Sequence, residues 1–139
     1  MKSSEIVSAP RGLLKIFILE MATHNPISGN EVSQRITSLT NEVWKPSPGS
    51  IYFILKELVK NNRLSEIYVP EKITRKYVTT EKGLNDLKLF RSFGKELILK
   101  QTSFLALTAR ILKDETTTKK LGEIIEQMTV DNESKLFAP

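Results

Sequence analysis

Residues 44–60, Trp44-Lys45-Pro46-Ser47-Pro48-Gly49-Ser50-Ile51-Tyr52-Phe53-Ile54-Leu55-Lys56-Glu57-Leu58-Val59-Lys60, decide how the rest of the chain is read. Ser47 can cap a helix, and Pro48 suits a first-turn position where no amide bond is lost. Ile51, Ile54, Leu55 and Leu58 then recur at i, i+3, i+4 and i+7, which places all four on one face, toward a core. Turned outward are Ser50, Tyr52, Phe53, Lys56, Lys60 and Asn61, with Glu57 the one carboxylate among them.

Upstream of this helix, Ser28 follows an Asn25-Pro26 break and stands three residues before Glu31, the reciprocal capping pattern of a helix start. A helix is expected over residues 29–39, with Val32, Ile36 and Leu39 as its apolar stripe. Residues 10–22 predict an earlier helix whose Leu13, Leu14, Ile16, Phe17, Ile18, Leu19 and Met21 cover nearly the whole circumference. Such a helix must be covered on more than one side, a first hint of a second subunit or a C-terminal helix against it.

Downstream, Asn61-Asn62 ends the central helix. Residues 64–69 and 74–79 hold the β-branched and aromatic residues of two short strands around a polar Pro70-Glu71-Lys72 turn. A lone hairpin is marginal and must lean on the helices. Thr80 is the expected cap of a further helix with the stripe Leu84, Leu87, Phe90, Phe93 and Leu97, continuing toward Ile98, Leu105 and Ile111. Gly94 and Gln101-Thr102-Ser103 are places where it can kink or break. A last helix is expected from about Thr117, burying Leu121, Ile124, Ile125 and Met128, and the tail from Asp131 is expected to fray. The fold class that follows is mainly α with a small β-hairpin: a winged helix-turn-helix domain over residues 1–88, then a C-terminal helical dimerisation region over residues 89–139.

Composition limits the functions open to such a chain. Its 139 residues suit one domain with an extension, and a 40% hydrophobic, 27% charged composition suits a globular protein. With no cysteine and a single histidine, His24, the common His/Cys catalytic pairs and most zinc sites are excluded, and no glycine-rich phosphate loop is present. No enzyme, cofactor or metal is expected, and His24 beside the Asn25-Pro26 turn is expected at the surface. The most apolar run, Leu13 to Ala22, is about half a bilayer span and holds Lys15 and Glu20, so neither membrane anchor nor signal peptide is expected and the cytoplasm is the expected location. The net charge of +5 lies mostly in residues 1–88, which carry +4, and favours a polyanionic partner.

Three blocks of the sequence resemble the PadR family of transcription regulators. They are Pro26-Ile27-Ser28-Gly29 with Glu31-Val32; Trp44 through Tyr52 with Ile54, Leu55 and Leu58; and Arg75-Lys76-Tyr77 with Thr80-Glu81-Lys82-Gly83. The middle block is the specific one. The chain departs from the family pattern at Asn30, where tyrosine is common, and at Phe53, where proline is common. The resemblance implies a winged-helix domain, a homodimer held by C-terminal helices packing on the partner's first helix, and repression relieved by a small-molecule effector.

In that setting the helix opening at Ser47 is the DNA-reading one. The N-terminus at Gly49 and Ser50 can take a phosphate on free amides, with Ser47 and Ser50 adding hydroxyls. Tyr52 can donate its phenol to a phosphate or simply cover the edge of the core. Lys56 can reach a base edge or the backbone, and Lys60 the backbone, although an exposed helix lysine is also an ordinary solvated residue. Ser28, Asn30 and Lys45 complete the helix-turn-helix part of the double-stranded DNA surface. Arg75 and Lys76 on the wing would lie near a minor groove or phosphate, or serve as charges that discourage strand addition. Trp44 is expected to pack in the turn rather than stack on a ligand. The dimer interface is expected to use Leu13, Phe17, Phe93, Leu97, Leu105, Ile111 and Ile125. The alternative is a winged-helix module that binds a partner protein with the same face and does not bind DNA directly.

Overall fold

The computed structural model describes residues 12–71 and 74–130, with side chains described through residue 126. Pro10, Lys72, the Met128 side chain and the tail from Asp131 lie outside the described residues. The elements in chain order are α1 (Leu13–His24), α2 (Gly29–Leu39), α3 (Pro48–Lys60), β1 (Leu64–Val69), β2 (Thr74–Thr79), α4 (Glu81–Leu112) and α5 (Glu115–Val130). The chain is thus mainly helical with one antiparallel hairpin, and it divides into two compact units, residues 1–88 and 89–139.

Local chemistry sets the boundaries. At α2 both halves of the capping box are made: the Ser28 hydroxyl accepts the Glu31 N–H at 3.2 Å, and the Glu31 carboxylate accepts the Ser28 N–H at 3.4 Å. Ser47 caps α3 through the Ser50 N–H, with Pro48 in the first turn. Thr80 caps α4 through the Gly83 N–H at 3.2 Å. The C-terminal ends of α2 and α3 share one device. Asn41 and Asn62 take left-handed φ values of 50° and 59°, and the next residue's amide reaches back five positions, Glu42 N to Thr37 O and Arg63 N to Leu58 O, each at 2.8 Å. Both are Schellman closures, which satisfy carbonyls that a helix end would leave open.

The core of the first unit joins all its elements. Ile18 and Leu19 from α1, Val32 and Ile36 from α2, Ile51, Leu55 and Leu58 from α3, Leu64 from β1, Tyr77 from β2 and Leu87 from α4 are buried. Within it α1 packs on β2 and α3, α2 on α3, and α3 on β1. The hairpin pairs Leu64 with Thr79 through to Val69 with Thr74. A third segment holds it: Ile27, in the α1–α2 turn, exchanges both backbone hydrogen bonds with Tyr77 at 3.0 and 2.9 Å. Thr79 Oγ1 donates to Leu19 O at 2.6 Å, and Arg63 pairs with Asp86. The wing is therefore pinned to α1, to the turn that precedes α2, and to α4.

Several expectations need correction. Leu39 is 38% exposed, because the Schellman turn at Asn41 carries the chain away before the third position of the stripe is covered. Ile54 is half-buried rather than in the core, since it sits on the flank of α3, about a fifth of a turn from the line of Ile51, Leu55 and Leu58. Neither Gly94 nor Gln101-Thr102-Ser103 interrupts α4, and α5 starts at Glu115, where Asp114 accepts the Thr117 hydroxyl at 2.5 Å. Of the stripe expected to be buried in α5, Leu121 is half-buried, and Ile124 and Ile125 are exposed in the single chain. Periodicity says which residues share a face and is silent on what covers it.

Candidate nucleic-acid interface

With Ile51, Leu55 and Leu58 held inside, the geometry of α3 forces its other residues outward. Gly49, Ser50, Tyr52, Phe53, Lys56 and Lys60 are all exposed, as is Lys45 ahead of the helix. Lys45, Lys56 and Lys60 make no ion pair with any of the described residues. Glu57, the one acid on this side, is half-buried and bound to Lys15 Nζ at 3.1 Å. The surface that α3 offers is accordingly cationic and rich in donors.

At its N-terminus the Ser47 hydroxyl accepts the Ser50 amide and donates to Ser50 Oγ at 2.7 Å. Ser47 is thus committed to capping, while Ser50, whose oxygen accepts, keeps its own proton for an incoming acceptor. The loop before it is organised by Thr40, whose hydroxyl accepts the Trp44 N–H at 3.0 Å and lies 2.8 Å from Ile36 O. Trp44 is half-buried and Pro46 buried beside it, so the indole packs in the turn.

The sequence-predicted residues fall into distinct places. Ser28, Asn30, Tyr52 and Arg75 line one groove of about 440 Å³ between the start of α2, α3 and β2, with Ser33, Pro48, Thr74 and Tyr77. Lys45, Ser47, Gly49 and Ser50 line another, of about 770 Å³, with Leu14, Lys15, Trp44, Phe53 and Ile54. Lys56 and Lys60 line neither. Ser28 is buried, and its hydroxyl is used for capping. The two wing cations part company: Arg75 points out, paired with Glu66 at 3.2 Å, whereas Lys76 turns toward α2 and meets Glu31 at 3.1 Å. Alternation along β2 separates them. Tyr77, two residues on from Arg75 along the same face, is buried, and its phenol is pushed above its ordinary range by burial, then by the Glu66 carboxylate and Tyr52, against the opposing pull of Arg75.

Phe53 was visible in the sequence as an outward residue but offers no donor or charge by which to assign it to a site. In the structure it is 71% exposed in the middle of the α3 surface. His24 is exposed, with Nε2 3.3 Å from Glu20 Oε1. Among the described residues no group of three or more His, Asp or Glu side chains is placed to hold a metal, and no helix is long and apolar enough to cross a membrane.

Comparison with known proteins follows the same lines. The model of the transcriptional regulator PadR-like family matches residues 18–89. A transcriptional regulator from Clostridium thermocellum is similar in structure, with a TM-score of 0.58 at 23% identity over 76% of this chain and 96% of that one. A PadR-like transcriptional regulator from Bacillus cereus gives 0.58 at 22% identity over 68% and 93% of the two chains. The PadR of Bacillus subtilis in complex with p-coumaric acid gives 0.51 at 17% identity over 91% and 78%. At these identities the likeness is one of fold. No curated protein matches the chain.

Proposed function

Because the chain belongs to the PadR-like family of transcriptional regulators, we propose that it is a sequence-specific repressor that binds double-stranded DNA as a homodimer, with α3 in the major groove and the hairpin alongside. The observation that carries this reading is the two-sidedness of α3. Three aliphatic side chains are sealed in the core, and the opposite surface holds Ser50, Tyr52, Lys56 and Lys60 in the open. Helix-turn-helix proteins read base edges with residues near the N-terminus of the second helix while other contacts go to phosphates. The amides at Gly49 and Ser50, with the Ser50 hydroxyl, fit a phosphate at the head of the helix. Lys56 sits within reach of base edges, Lys45 and Lys60 within reach of the backbone, and Asn30 and Arg75 on the walls of the neighbouring groove. Ser28 and Ser47 act by capping the helices that carry these groups. Lys76 reaches DNA by releasing Glu31.

The homodimer rests on apolar residues that the single chain leaves open: Leu13, Phe93, Leu105, Ile111 and Ile125 are exposed, and Phe17 and Leu97 half-buried. The p-coumaric acid complex of the Bacillus subtilis protein supports a small-molecule effector by analogy of fold.

Titration of duplex binding with salt tests the reading. A protein that neutralises about 6 to 10 phosphates loses roughly three to five orders of magnitude in affinity between 50 and 200 mM salt. Lys56→Ala should flatten that slope if Lys56 meets a phosphate, or relax sequence preference at one position if it meets a base. A flat salt response, or no duplex binding at low salt, would favour a winged-helix module that docks on a protein.

A further inference from the structure

On the reading of α3 as the DNA-facing helix, we infer that Phe53 reads a thymine, its ring packing on the 5-methyl group in the major groove. Three observations converge on it. The first is direction. At 3.6 residues per turn, the side opposite Ile51, Leu55 and Leu58 is occupied by Phe53 and Lys60, with Gly49 and Lys56 beside that line. Phe53 projects more squarely outward than Tyr52, and its exposure of 71% against 62% agrees.

The second is what lies next to the ring. Helical side chains lean toward the N-terminus, over the turn before their own Cα. One turn before Phe53 is Gly49, where an added Cβ would find no atom within 4 Å. Gly49 itself sets no side chain beside the phenyl on that flank, and on the proposed reading that flank is the end of the helix that enters the groove. The third is chemistry. A phenyl carries no donor, acceptor or charge, so phosphates and most base edges have nothing to offer it. The one apolar group in the major groove of unmodified DNA is the thymine methyl. Phe53 also forms part of the wall of the groove shared with Trp44 and Ile54, so a purely structural role is the alternative to beat.

The test uses chemical deletion of the methyl. Bound sites are selected from a random duplex pool with the intact protein, and each thymine of a selected site is replaced singly by deoxyuridine. For the unaltered protein, one thymine position should lose about three- to fivefold in affinity, the effect of removing one buried methyl-sized group. With Phe53→Ala, affinity for the thymine duplex should fall by at least that factor, and the uridine penalty at that position should disappear. The salt dependence should keep its slope, because a phenyl neutralises no phosphate. The inference is overturned if no thymine shows a penalty, if the penalty persists in Phe53→Ala, or if the variant's loss comes with a lower melting temperature or a flatter salt slope. Absence of duplex binding by the unaltered protein at low salt would bring down the DNA-binding reading itself, and the role of Phe53 with it.

Discussion

Gly83 shows how tightly single residues join the wing to the helices. A Cβ there would stand 2.6 Å from the Arg63 carbonyl oxygen, 2.7 Å from Thr79 Cγ2 and 3.1 Å from Leu19 Cδ2. The first of these is backbone, and that same carbonyl already accepts the Thr80 N–H at 3.1 Å, so it cannot swing aside without losing a bond. Gly83→Ala should therefore destabilise the protein by about 1 to 3 kcal/mol, the usual cost of overpacking a tight site, despite alanine's better helix propensity. A denaturant midpoint that stays in place or rises would show that α4 can shift to make room. The sequence marked Gly83 as part of a motif, but the reason for it lies in three contacts from residues 4 to 64 positions away, which no local pattern records.

At the scale of elements, the Schellman closure of α2 includes a mismatch. Asn41 is an acceptable left-handed residue, but Glu42 follows at φ 66°, where an ordinary side chain crowds its own backbone. Its amide must still reach Thr37 O. Glu42→Gly should relieve that strain and raise stability by about 0.5 to 1 kcal/mol, less the entropy that glycine adds to the unfolded chain. A fall in melting temperature would mean that the carboxylate does more than the backbone geometry reveals. The starts of α2, α3 and α4 and the strand limits were legible because they are local: Ser28, Ser47 and Thr80 each cap within three residues, and the hairpin runs where β-branched residues cluster. The Ile27–Tyr77 bridge was not, because it joins residues 50 positions apart. The unbroken course of α4 through Gly94 was also hidden, since one glycine costs about 1 kcal/mol and neighbouring turns can absorb it. The outward set on α3 was readable from spacing, but the Lys15–Glu57 and Lys76–Glu31 pairs that adjust its charge come from other elements.

For the whole molecule, the proposed dimer makes a plain demand on assembly. Light scattering at micromolar concentration should give about twice the 15.8 kDa of the chain. Leu105→Asp, on a residue that is 49% exposed in the single chain, should halve that mass while leaving the helical circular dichroism of the first unit's elements in place. A monomeric wild type would remove the dimer from the proposal, and an unchanged dimer in the variant would move its interface away from Leu105. The ion pairs of the first unit also bear on how such a protein travels. Arg75 and Lys76 each already hold a carboxylate partner, Glu66 and Glu31. On the proposed reading, a duplex that meets the wing must first draw both cations off those carboxylates, a small toll for exposed pairs. A repressor with this arrangement would hold an arbitrary polyanion through the lysines around α3 and engage its wing only where the fit recruits both cations together.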